Sequence, residues 1–149
     1  MRSVKNELTQ LQEILHDRGL PEALKFLNQR VPYRATAVYK FEQGHMRLVH
    51  AVDKLDDLTV SALSLVPLGD SFCQFAMRDG QLVTSDTAAD KRVDGHRYQG
   101  VLASYVGLPL MKSGMLFGTL CHYDFVTHSI EDEEFTFLQS ATQELPKYL

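Results

Sequence analysis

The hydrophobic period of this chain changes from helical to two at Ala35, and that switch restricts it to folds that place helices against an antiparallel sheet. Before the switch, Leu8, Leu11 and Leu15 share one helical face, and Gly19 breaks the helix. Pro21 suits the first turn of a second helix that turns Leu24 and Leu27 inward, and Val31-Pro32 ends it. After the switch, Ala37, Tyr39 and Phe41 alternate with Val38, Lys40 and Glu42. Gln43-Gly44 makes a tight turn, and Met46, Leu48 and His50 continue on the return strand, so the segment reads as a β-hairpin.

Asp53 to Asp57 is polar and predicts a connection, and Leu63 to Leu68 a strand ended by Gly69. Asp70 or Ser71 can cap a short helix with Phe72, Phe75 and Ala76 inside, closed by Asp79-Gly80. Gln81 to Ser85 is a short strand, and Asp86 to Gln99 a long polar loop with one helical turn. Loops of that length in compact domains are often functional. Strands over Leu102 to Met111 and Met115 to Phe125 join at Lys112-Ser113-Gly114, and Pro109 predicts an edge or a bulge. Ser129-Ile130-Glu131-Asp132 has the form of a capping box, followed by Phe135, Leu138, Ala141 and Leu145 at helical spacing. The order describes an α+β domain with an antiparallel sheet of about six strands, and residues 1–149 read as one domain.

Composition narrows the function. Hydrophobic residues make up 44% and charged residues 23%, a globular balance. A net charge of −4 offers no basic field, which argues against nucleic acid and anionic membrane as partners. The charge-free central stretch from Val101 to Met111 is too short to span a bilayer. The N-terminal stretch is amphipathic without an apolar signal core, and Cys73 and Cys121 sit among apolar residues as reduced, buried thiols would. A cytoplasmic protein is expected.

The run GDSFCQFAMRDGQLVTSDTAADKRV followed by ASYVGLPLMKSGMLFGTLCHYD resembles the GAF domain family over nearly the whole chain. The matching pieces are the S-F-C turn, V-x-x-D at Val83 to Asp86, G-x-P-L at Gly107 to Leu110, and G-x-L-C-x-x-D at Gly118 to Asp124. The resemblance implies a PAS-related fold: a six-stranded antiparallel sheet, terminal helices on one side, and a small-molecule pocket walled by the short helix and the long loop on the other. It also implies a regulatory sensor and a homodimer through the terminal helices. Those amphipathic helices suit pairing between copies and packing on the sheet equally well.

On that reading Phe72, Phe75, Tyr105 and Tyr123 face the pocket, with Cys73 and Cys121 nearby. Arg92 and His96 are candidates for a polar ligand from the loop, and Asp86 stands at its start, where an Asx-type turn is the simpler role. The expected ligand is a small molecule whose identity the sequence does not give, with no cofactor, no metal and no catalytic residue.

A redox role for Cys73 and Cys121 is the alternative, because free methionine-(R)-sulfoxide reductases share the fold. That family resembles this chain at Ser71-Phe72-Cys73, but its catalytic cysteine lies in the loop before the P-L strand, where this chain has DGHRYQGVLAS. Its glutamate corresponds to Tyr105, and its acidic pair on the last strand to His122 and Asp124. The Cys121-His122 dipeptide lies on a predicted strand and not in the helix of a bilin site. Haem ligation would fall to a lone His96 or His122, and the N-K-x-F pattern of cyclic-nucleotide binders is missing. No nucleophile elbow, metal-spaced histidine pair or glycine-rich phosphate loop occurs.

Overall fold

The computed structural model describes residues 4–56 and 62–149, so the predicted connection at Asp53 to Asp57 lies partly outside the described residues. Helices α1 (Val4–Arg18) and α2 (Leu20–Gln29) come first, with Pro21 inside the first turn of α2. Strands β1 (Ala35–Glu42) and β2 (His45–Asp53) form the predicted hairpin. Its turn has Gln43 at φ 52° and Gly44 at φ 77°, the mirror-image geometry whose twist matches that of the flanking strands. Strand β3 (Leu65–Pro67), helix α3 (Cys73–Asp79) and strand β4 (Leu82–Thr84) follow. The loop after β4 contains two 3-10 turns, Thr87–Ala89 and Lys91–Val93, where one helical turn was expected. Strands β5 (Ser104–Lys112) and β6 (Met115–Asp124) form the second hairpin, and helix α4 (Asp132–Glu144) closes the fold.

The strands form one antiparallel sheet in the order β3-β2-β1-β6-β5-β4, so the two long hairpins meet along β1 and β6 at its centre. Strand β4 pairs only with Tyr105 to Gly107 of β5. Pro109 therefore lies beyond β4's reach, where no neighbour asks for an N–H, and a register shift follows at Leu110/Met111. Strands β3 and β4 are shorter than the sequence predicted. Helix α4 starts at Asp132 and not at a capping box, since its N-cap Glu131 makes no side-chain cap bond. Asp132, Glu133 and Glu134 fill the first turn instead, where negative charge offsets the helix dipole.

Period-two alternation divides the core between the sheet's two faces. Val38, Val106, Leu108, Leu110 and Leu120 point to one side, where α1, α2 and α4 bury Leu11, Leu15, Leu24, Leu27, Phe137 and Leu138. The apolar faces of the terminal helices are thus occupied within the chain. Ala35, Ala37, Tyr39, Tyr105, Cys121 and Tyr123 point to the other side, under α3 and the long loop. No helix among the described residues is long and apolar enough to cross a membrane.

One polar chain runs through the helix-side core. Lys54 Nζ donates to Asn28 Oδ1 at 2.7 Å, Asn28 Nδ2 donates to Thr36 Oγ1 at 2.8 Å, and Thr36 Oγ1 lies 2.7 Å from His122 Nδ1. The other ring nitrogen of His122, Nε2, is buried and makes no hydrogen bond. Burial, reinforced by the Lys54 charge, pushes the imidazole down to about 3, while Tyr33 stacks on its face at 5.6 Å. A histidine whose folded pKa is depressed contributes its full stability above the unfolded value and loses it as pH falls towards the folded one. Between about pH 6.5 and 3 each unit should cost up to about 1.4 kcal/mol. Burial also lowers His96, which acts in the same direction. Urea midpoints at pH 7.5 and 5 should therefore differ more for the native protein than for His122→Asn. Equal differences would reject a buried neutral imidazole as the cause.

Candidate functional site

On the sheet face opposite the terminal helices lies a cavity of about 30 Å3, room for roughly two waters. Strands supply Tyr39, Met46, Val66, Tyr105, Cys121 and Tyr123, and Leu63 closes the side next to β3. The turn into α3 supplies Ser71, Phe72 and Cys73, and the long loop supplies Tyr98 and Leu102.

The polar atoms at its base converge on Cys73. Thr119 Oγ1 donates to Cys73 Sγ at 3.2 Å and the Tyr105 hydroxyl at 3.5 Å. Tyr105 reaches the sulfur by folding back over Gly107, where a Cβ would stand 2.4 Å from the phenol oxygen. The Cys121 thiol donates to the Ala37 carbonyl oxygen at 3.7 Å. The neighbouring Cys121 thiol is the largest influence lowering the Cys73 thiol, which falls to about 7 against the opposing effect of burial. The Cys73 thiol and burial push Cys121 up, so the pair divides into one acidic and one weakly acidic thiol.

The phenols behave oppositely. Burial raises Tyr39, Tyr105 and Tyr123, which stay protonated as donors. Tyr39 donates to the Leu63 carbonyl at 2.9 Å. The Tyr123 hydroxyl is buried, with the residue only 2% exposed, and it meets no partner in hydrogen-bonding geometry. An unpaired buried hydroxyl costs about 1–3 kcal/mol.

The loop over the cavity is internally braced. Thr87 Oγ1 donates to the Leu102 carbonyl at 2.7 Å and accepts from Gly100 N at 2.8 Å. Gln99 Nε2 spans to the Thr87 carbonyl at 3.1 Å, and Arg97 ties the loop to Asp70 at 2.8 Å.

Of the residues the sequence singled out, Phe72, Cys73, Tyr105, Cys121 and Tyr123 come together around this cavity. Phe75, Asp86, Arg92 and His96 do not line it. His96 stacks behind Phe72 at 4.7 Å, and Phe75 meets its edge at 5.4 Å. Asp86 accepts from Ala88 N at 3.2 Å, the Asx-type role foreseen for it. Arg92 is held by Asp90 and the Val83 carbonyl, and its hydrogen bond pulls Asp90 down to about 2. On β6 His122 and Asp124, which answer to the reductase family's acidic pair, do not line the cavity. His122 faces the helices, and Asp124 accepts from Arg34 N at 2.9 Å and pairs with His128 at 2.8 Å. The cavity positions are Cys121 and Tyr123. Tyr39, Met46, Tyr98 and Leu102 were missed, although Tyr39 and Met46 follow from hairpin parity once β1 is registered on β6. Among the described residues no three His, Cys, Asp or Glu side chains gather as a metal site.

The GAF domain family model matches residues 17–145 of this chain. The chain belongs to the GAF domain family. Several solved structures share its fold. The GAF domain of an Acinetobacter phosphoenolpyruvate-protein phosphotransferase superposes with a TM-score of 0.79 at 11% identity, covering 99% of this chain and 94% of that one. The free methionine-R-sulfoxide reductase of Neisseria meningitidis, solved with its substrate, gives 0.75 at 17% identity over 97% of this chain and 87% of that one. The corresponding GAF domain from Coxiella burnetii gives 0.75 at 15% identity, over 97% and 91%. No curated protein sequence matches this chain. At these identities the likeness speaks for the fold alone.

Proposed function

We propose that this GAF domain is a regulatory binding module whose ligand enters the cavity between the sheet, α3 and the long loop. The observation that carries this is the Tyr123 hydroxyl, buried, unpartnered and lining the cavity. A ligand carrying a hydrogen-bond acceptor would supply the missing partner, and the buried phenols would hold it by donation. At about 30 Å3 the cavity takes a molecule of about two heavy atoms as it stands, and a metabolite-sized ligand lifts the Thr87–Leu102 brace. Loop displacement is then the signal.

Tyr123→Phe tests this with an unusual sign. Removing an unpaired hydroxyl should leave the ligand-free protein as stable or up to about 1 kcal/mol more stable, while weakening ligand binding. Native mass spectrometry and a thermal-shift screen supply the ligand, which at 100 times its Kd should add about 2.7 kcal/mol. No retained or stabilising small molecule, together with a destabilised Tyr123→Phe variant, would reject the reading.

The donor set around Cys73 favours a second reading, a redox activity. Residues 86–102 hold no cysteine, so any turnover would fall to Cys73 and Cys121 alone. Incubation with free methionine sulfoxide and a thiol reductant decides it, and methionine formation lost in Cys73→Ser would establish a reductase.

A further inference from the structure

The two thiols of the cavity suit a purpose that a binding pocket does not need. Cys73 and Cys121 lie 5% and 0% exposed, on different elements, yet line the same small space. Cys73 is the one with donors aimed at it, from Thr119 and Tyr105. Cys121 directs its own proton elsewhere, to the Ala37 carbonyl oxygen at 3.7 Å. We propose that Cys73 and Cys121 form a dithiol switch that hydrogen peroxide closes to an intramolecular disulfide, pinning α3 to β6. The proposal rests on the reading of this cavity as the sensing site and names what it senses.

The steps balance. The Cys73 sulfur attacks one peroxide oxygen, the O–O bond breaks, an S–O bond forms, and the thiol proton leaves with the second oxygen as water. Cys73 is then a sulfenic acid. The Cys121 sulfur attacks Cys73, the S–O bond breaks, and the departing hydroxyl takes the Cys121 proton as a second water. Two thiols lose two electrons and one peroxide gains them. The Tyr105 hydroxyl, already directed at the sulfur, is placed to donate to the departing oxygen. Cavity size selects the oxidant. About 30 Å3 admits a two-oxygen molecule and excludes a bulky alkyl hydroperoxide while the loop stays down. A small dithiol would reopen the bond.

The test uses the reduced full chain. After hydrogen peroxide and alkylation, intact mass should show the loss of two hydrogens with neither thiol alkylated, in a protein that remains monomeric on a non-reducing gel and regains both thiols with dithiothreitol. Cumene hydroperoxide should act at least about tenfold more slowly. Cys121→Ser, or Cys121→Ala should the serine variant misfold, should stop at a Cys73 sulfenic acid that a dimedone probe captures. Cys73→Ser should slow modification of Cys121 by about tenfold or more. Two alkylatable thiols after excess peroxide, or disulfides only between chains, would overturn the switch. Equal rates in Cys73→Ser would overturn the role given to Cys73. A reduced protein that binds a metabolite but ignores peroxide defeats the switch and leaves the binding module intact. A peroxide response with no metabolite bound defeats only the metabolite.

Discussion

Gly118→Ala should abolish the folded state. Residue 118 sits on β6 between Lys40 of β1 and Leu110 of β5, at the centre of the sheet. A Cβ built there would lie 1.8 Å from the Tyr39 carbonyl oxygen and 2.9 Å from the Lys40 Cα. Both obstacles are backbone, so no side-chain rotation relieves the clash. The neighbourhood explains the close approach: β1 shifts register against β2 at Val38/Tyr39, and β5 against β6 at Leu110/Met111. Bulges bend and twist the strands that carry them, and here they press β1 onto β6. A cost above about 4 kcal/mol is the expected scale, against a total stability of about 5–15 kcal/mol for a domain. Gly114→Ala is the control, with φ at 77° and open space around its Cβ, and should cost only about 1 kcal/mol. Circular dichroism and urea unfolding check both. A Gly118→Ala protein with a native midpoint would mean that β1 and β6 can separate without unfolding.

Arg30→Ala should cost about 3 kcal/mol. Arg30 ends α2, yet it holds α1 and α4 as well. Its Nε donates to Glu134 Oε1 at 2.7 Å, and Nη2 donates to Glu134 Oε2 at 3.0 Å and to Glu7 Oε2 at 3.1 Å. The guanidinium also lies 3.8 Å from the centroid of the Phe137 ring. With the arginine only 10% exposed and the glutamates 13% and 19%, truncation leaves two carboxylates facing each other with little solvent. Arg30→Lys should recover less than half of the loss, because an ammonium cannot serve the bidentate pair and lie flat on the ring together. Arg30→Met combined with Glu7→Gln and Glu134→Gln should recover most of it, since the penalty comes from stranded charge. A loss under about 1 kcal/mol in Arg30→Ala, measured by urea unfolding, would place this cluster with ordinary surface ion pairs.

The elements that repeat a local pattern were legible in the sequence. The β1–β2 hairpin announced itself through alternation and the Gln43-Gly44 turn, and α1 and α2 through leucine spacing and Gly19-Leu20-Pro21. Short strands were less legible: β3 and β4 are three residues each, and their extent depends on which residues of β2 and β5 remain to pair with them. The cavity was half legible. Phe72, Cys73, Tyr105, Cys121 and Tyr123 could be placed from motif and parity. His122 and Asp124, between and beyond them on β6, fall to the other side, since a one-residue offset exchanges the two sides of a strand. Arg92 and His96 could not be separated from true lining residues, since only tertiary contact shows that Asp90 occupies the arginine and Phe72 the imidazole. Tyr98 and Leu102 reach the cavity through the hydrogen bonds of Thr87 and Gln99, long-range partners that no periodicity encodes.

Strand β6 has a further property. Its odd-numbered residues 119, 121 and 123 hold the chemistry of the cavity, and its even-numbered residues 120 and 122 anchor the helical layer. The two tasks are interleaved along one backbone and separated only by parity. The chemical face can therefore be rewritten at alternate positions while the load-carrying face keeps its side chains. Conversely, a tug on Cys121 reaches Leu120 and His122 through a single peptide link on either side, so a message crosses the sheet through its thickness and needs no route around its edge.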